Sequence, residues 1–176
     1  VVADLRRLNP GFDAATTPTI VEDRVVGLAA AAAGPVRDLS PLQELRHLRV
    51  LEIPWGRFGD LTPLRGLPLR EVNFNNNTAI RDLTPLKGMP LENLQIWGFS
   101  GHDLSPLKGM PLRGLNCGGG EGRLDLSQLK GLPLEVLCVN NTLVDDLLPL
   151  AGLPLRELLI ERTRVADLSP LRGMRL

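Results

Sequence analysis

Asp103-Leu104-Ser105-Pro106-Leu107-Lys108-Gly109-Met110-Pro111-Leu112 is one copy of a pattern that recurs along nearly the whole chain. The leading Asp falls at Asp38, Asp60, Asp82, Asp103, Asp125, Asp146 and Asp167, so successive copies lie 22, 22, 21, 22, 21 and 21 residues apart. A fixed period in this range marks a solenoid, because each repeat is one supersecondary unit that can bury its apolar face only against its neighbours.

Nine or ten residues after each Asp comes a segment of the form Leu-x-x-Leu-x-Ile: LRVLEI from Leu48, LREVNF from Leu69, LENLQI from Leu91, LRGLNC from Leu112, LEVLCV from Leu134 and LRELLI from Leu155. Alternation with period two puts the fourth and sixth positions on one strand face and the third and fifth on the other. These are the inner strands of a leucine-rich repeat. The connecting arcs read as single helical or 3₁₀ turns: Ser105 caps the turn, Pro106 suits its first position, and Gly109 ends it in a left-handed conformation. Pro68, Pro90, Pro111, Pro133 and Pro154 then bias the preceding residue towards extended geometry as the strand begins. Two copies depart from the pattern, with Gln128 in place of Pro and Leu148 in place of the capping Ser.

Stacking aligns apolar columns, among them Leu39, Leu61, Leu83, Leu104, Leu126, Leu147 and Leu168. These residues and the Met positions read as core. The expected architecture is an α/β solenoid with a curved parallel sheet of about seven strands, helical or 3₁₀ turns on the convex side and an N-terminal helix and hairpin as cap. Residues 1–37 are assigned to the cap and first strand, and 38–176 to the repeats. Ala3 to Leu8 is the expected helix, and Thr19 to Val21 with Arg24 to Ala30 the expected hairpin, its second arm starting the stack. The chain starts at Val1 with no signal-peptide pattern and no initiator Met, which reads as processing or excision from a longer protein. At the other end, Arg172 to Leu176 stops where another strand is expected, leaving an uncapped repeat as a surface for end-to-end self-association.

Lys plus Arg equals Asp plus Glu at 20 each, with no basic stripe, which argues against nucleic-acid binding. No apolar run reaches the length of a membrane span. Cys117 and Cys138 fall on opposite strand faces, so they read as free thiols, favouring a reducing compartment and hence the cytoplasm. Neither has partners at zinc-ligand spacing, and no metal or cofactor is expected.

Leu5 to Ile20, LRRLNPGFDAATTPTI, followed by repeated DLSPLKGMPL, resembles the leucine-rich repeat regions of large bacterial multidomain proteins, many of which carry a serine/threonine kinase domain. The resemblance covers the whole chain and implies an interaction or sensing module. No HRD or DFG kinase signature occurs in these residues. Catalysis is not expected: His102 beside Asp103 lacks a nucleophile, and Gly118-Gly119-Gly120-Glu121-Gly122 fits neither phosphate-binding spacing and reads as a flexible turn.

The repeat breaks in two adjacent turns. Two residues before the Asp an apolar plug stands at Val36, Phe58, Ile80, Val144 and Val165, but Gly101 and Arg123 interrupt the column, while Phe99 and Glu121 intrude where Thr78, Thr142 and Thr163 stand elsewhere. Either these turns form a ligand-facing patch, since local rules fail at functional sites, or they reflect neutral loop drift. Outward strand positions carry Glu52, Asn73, Gln95, Asn116, Cys138 and Leu159, with Asn93 beside them and Trp55 and Trp97 just beyond the strands. An amide-rich surface with Trp anchors suits a protein or peptide partner. The expected contact residues are Trp55, Asn73, Asn93, Gln95, Trp97, Phe99, His102 and Asn116. Asn75, Asn76 and Asn141 are equally suited to bonding the backbone of a neighbouring repeat. The expected function is non-catalytic protein recognition within a larger signalling protein, the alternative being an extracellular adhesion or carbohydrate-binding repeat protein.

Overall fold

A computed structural model describes residues 2–9, 16–30, 36–120 and 122–176. After helix α1 (Val2–Leu8), strands β1 (Thr16–Val21) and β2 (Arg24–Ala30) form an antiparallel hairpin. Its two-residue turn holds Glu22 and Asp23 at φ 49° and 59°, as a turn matched to strand twist requires. Six three-residue strands follow: β3 (Val50–Glu52), β4 (Glu71–Asn73), β5 (Asn93–Gln95), β6 (Gly114–Asn116), β7 (Val136–Cys138) and β8 (Glu157–Leu159). The sheet runs β1 to β8 in chain order, and every pair from β2–β3 to β7–β8 is parallel. The seven expected parallel strands are therefore present, with β1 added at the edge as the outer arm of the hairpin.

The register matches the inward and outward faces read from the sequence. Leu28, Leu51, Val72, Leu94, Leu115, Leu137 and Leu158 are paired in succession through the middle of the strands. All but Leu158 are fully buried, as are the sixth-position residues Ile53, Phe74, Ile96, Cys117 and Val139. Phe58 and Phe74 meet edge to face at 5.0 Å between ring centroids, joining the plug column to the strand column. Asn9, buried at the end of α1, donates from Nδ2 to the carbonyl of Asp38 and accepts at Oδ1 from the N–H groups of Arg37 and Asp38. One amide thus ties the N-terminal helix to the first arc.

Each arc is a 3₁₀ turn, seven in all among the described residues, and the residue that caps it corrects the sequence reading. Ser105 is the first residue of its turn and the cap position falls on Leu104, which has no capping side chain; instead the Asp103 carboxylate accepts from the backbone N–H two residues on. The same bond recurs at Asp38, Asp60, Asp82, Asp125, Asp146 and Asp167, at 2.7–2.9 Å. This is an Asx turn, and it explains why Leu148 can replace Ser: Asp146 needs only the backbone N–H of residue 148. Gln128, in the Pro position, also has a reason, since its Oε1 accepts from the N–H of Leu104 in the preceding repeat at 2.6 Å. Gly109 ends its turn at φ 78° with open space around it, so its backbone conformation and not crowding calls for glycine.

Hydrogen bonds from the Ser or Thr hydroxyl, then from the backbone N–H, hold the carboxyls of Asp60, Asp82, Asp103 and Asp125 below the usual range; at Asp167 the backbone bond comes first. A depressed folded-state pKa contributes stability that is complete above the unfolded value of about 4 and is lost as pH falls through the folded value. Urea midpoints should therefore fall as the solution is taken from about pH 5 to about pH 2. Asp103→Asn keeps an oxygen acceptor but does not titrate, so its midpoint should fall less steeply. Parallel curves for the two proteins would contradict the role of Asp103.

Candidate partner-binding surface

The short strands leave their third and fifth residues on the concave face. Asn73, Gln95 and Asn116 stand opposite one another on β4, β5 and β6, and Asn93 on β5 pairs with Gly114 on β6. A Cβ on Gly114 would overlap Asn93 Oδ1, so the missing side chain makes room for that amide. Around it lies a shallow depression of about 270 Å³ lined by Asn93, Gln95, Gly114, Asn116, Val136 and Cys138, among others. Beside this face, Arg70 and Glu92 form an ion pair at 2.7 Å, and Arg113 pairs with Glu135. These exposed pairs contribute little stability.

The amides of this face are oriented by the backbone. Asn73 Oδ1 accepts from the N–H of Asn75, Asn75 Oδ1 from Trp97, Asn116 Oδ1 from Gly118 and Asn140 Oδ1 from Glu161. Asn75 Nδ2 then donates to Gln95 Oε1 at 3.0 Å. Of the two roles weighed for Asn75, bonding to the neighbouring repeat's backbone is the one observed. Asn77, which the sequence reading passed over, lies fully inside and donates from Nδ2 to the carbonyls of Ile53 and Phe74. Its signal was its place three residues after the strand's sixth position, where Thr142 and Thr163 likewise donate back to Val139 and Ile160.

In the irregular turns each aromatic side chain is matched by a glycine. A Cβ on Gly118 would lie 2.7 Å from Trp97 Cζ3, and one on Gly119 2.5 Å from Cε2 and Nε1, so the half-buried indole rests across the glycine run of the next repeat. A Cβ on Gly101 would overlap the Phe99 ring, and one on Gly122 the imidazole of exposed His102. The glycine run is thus a close-packed seat and not the flexible turn expected. Phe99, 2% exposed, fills the plug site that Gly101 leaves empty. It is a core residue and cannot be a direct partner contact.

Trp55 differs from Trp97. It is 63% exposed and adopts φ 63°. Equivalent turn positions in the other repeats are also left-handed and hold Asn76, Gly98, Gly119, Asn141 and Arg162. Gly and Asn tolerate this region, whereas a bulky side chain is strained there. Trp55 therefore accepts strain without gaining burial.

Burial pushes the Cys117 thiol up to about 12, with the neighbouring Cys138 adding to the effect, so Cys117 is no nucleophile at neutral pH. Both cysteines are free. No cluster of potential metal ligands occurs among the described residues, and no described helix is long and apolar enough to cross a membrane.

The fold and this face define a leucine-rich repeat solenoid. Among solved structures, the chain is similar to internalin C2 of Listeria monocytogenes, with 26% identity and a TM-score of 0.63 over 86% of this chain and 79% of that one. A second internalin of that organism, inlF, matches at 23% identity and TM-score 0.63, over 83% of this chain and 50% of its own. No protein-family model and no curated protein sequence matches.

Gly119 and Gly109 share left-handed backbones but differ in the space around them. Gly109→Ala should cost about 1 kcal/mol from backbone strain alone. Gly119→Ala should cost about 1–3 kcal/mol more, because the methyl displaces the indole, and should also shift tryptophan fluorescence. Equal denaturant midpoints for the two variants would refute the glycine seat.

Proposed function

We propose that this chain is a non-catalytic protein-recognition module that binds its partner through the concave face and the adjoining turn edge, with Trp55 and Trp97 as anchors. The observation that carries this reading is Trp55: exposed and strained, where other repeats place mostly Gly or Asn. Residues held in sparsely populated backbone regions cluster at binding sites, and Trp is the side chain most often found as an interface hot spot. Asn73, Asn93, Gln95 and Asn116 form the polar floor beside the anchors, and His102 lies at the rim. The similarity to internalins supports a recognition fold, and the DLSPLKGMPL resemblance supports a place within a larger signalling protein beside a kinase domain. The coding sequence that flanks the chain tests that last element.

Trp55→Asn separates function from fold. With a partner recovered by pull-down, the substitution should weaken binding by about 2 kcal/mol or more. It should leave folding stability unchanged or raise it by up to about 1 kcal/mol, since Asn accepts the left-handed backbone. Lys108→Ala on the convex arc should change affinity by less than about 0.5 kcal/mol. A partner indifferent to Trp55 but sensitive to Lys87, Lys108 or Lys130 would place binding on the arc and overturn the proposal.

A further inference from the structure

One row of the concave face is polarised: the carboxamide oxygens of Asn73, Gln95 and Asn116 are used internally and their NH₂ groups are left over. Backbone N–H groups can bond only to the oxygen of an amide side chain, so the bonds from Asn75 to Asn73, from Gly118 to Asn116 and from Glu161 to Asn140 fix which way each amide points. Gln95 is fixed in turn by the NH₂ group of Asn75. The NH₂ groups of Asn73, Gln95 and Asn116 have no partner among the described residues and stand in register on three consecutive strands. They form a row of donors about 4.8 Å apart. Only Glu52 extends this row with an acceptor, one strand further on.

A ligand for such a row must be rich in acceptors and poor in donors. An ordinary peptide presents one N–H for each carbonyl, and a sugar hydroxyl donates as well as accepts. Proline presents a carbonyl with no N–H. Its segments also take up a polyproline II helix, preformed and stacked readily on aromatic rings. That helix repeats every three residues, about 9.3 Å, close to the about 9.6 Å that separates alternate strands in a sheet. Trp55 and Trp97 belong to turns that follow β3 and β5, alternate strands of the sheet, with the Trp97 indole leaning over Gly118 and Gly119.

We infer that the partner segment is a proline-rich stretch in polyproline II conformation, lying across the strands with ring faces on Trp55 and Trp97 and carbonyls accepting from Asn73, Gln95 and Asn116. This rests on the concave-face reading above and names the chemistry of its ligand. An oligoproline segment carries no carboxylate to be repelled by Glu52 and Glu71 at one end of the row.

The probe is a twelve-residue oligoproline titrated into the full chain and followed by tryptophan fluorescence, with a Gly-Ser peptide of equal length as control. A saturable change is expected for oligoproline alone. Gln95→Glu keeps the oxygen that Asn75 needs and removes the outward NH₂, so it should weaken binding about tenfold or more while leaving the denaturation midpoint unchanged. Trp55→Asn should weaken it at least as much, and Lys108→Ala not at all. Failure of oligoproline to bind at any soluble concentration, or equal binding by Gln95→Glu, overturns the inference. Peptides selected from a random pool then separate the two claims. Proline-free binders released by Trp55→Asn would leave the concave-face reading standing without its polyproline ligand, whereas binders unaffected by Trp55→Asn would sink both.

Discussion

A coil of 21 or 22 residues has no core of its own, and every other feature of this protein follows from that constraint. The apolar side of each repeat is buried only if the next repeat presents the same residues at the same height. Three-residue strands provide the pitch, through parallel hydrogen-bonded pairs that run without a break from β2 to β8. The Asp carboxylate provides the arc, by holding the backbone N–H two residues on in all seven copies. Strand and arc together return the chain to its starting point one strand spacing further along. This leaves most outward strand positions free of packing demands and able to carry recognition, although Cys138 in that column is buried.

Where the repeat departs from its pattern, a nearby glycine compensates, in the same repeat or the next. Trp97 is bulky where Gly118 and Gly119 have no side chain, Phe99 takes the space vacated at Gly101, and His102 lies over Gly122. Volume is conserved across the stack even though it is not conserved position by position, as close packing requires. Trp55 is the exception, since it is strained yet unburied. The polarity of the concave face has the same origin as the packing. Turns that need acceptors for their N–H groups take them from amide side chains at the strand ends and in the preceding turn, and on Asn73 and Asn116 the opposite ends of those amides face outward.

Much of the fold was legible because a period of fixed length exposes both columns and register: the inward positions, the hairpin and the parallel order could all be read from residue spacing. The capping role was misread because the sequence offers equivalent chemistry at neighbouring positions. Ser105 and Asp103 can each accept an N–H bond, and only the backbone geometry selects Asp103; the copy with Leu148 was the available clue. Phe99 was taken for a surface residue because it stands where other repeats carry Thr, whereas its ring turns into the plug site that Gly101, two residues on, leaves open. The strain at Trp55 was open to reading in principle, since its column otherwise holds Asn76, Gly98, Gly119, Asn141 and Arg162. The direction in which each amide points was not, because it is set by hydrogen bonds formed only in the folded stack.

The claim that inward columns hold the stack while outward positions remain free is tested most directly by comparing two alanine substitutions in neighbouring repeats. Leu104 is fully buried and Gln95 is exposed. In denaturant melts, Leu104→Ala should lose about 2–5 kcal/mol through the cavity it leaves. Gln95→Ala should lose less than about 0.5 kcal/mol. Equal losses for the two variants would contradict the register on which the stack and its recognition face both depend.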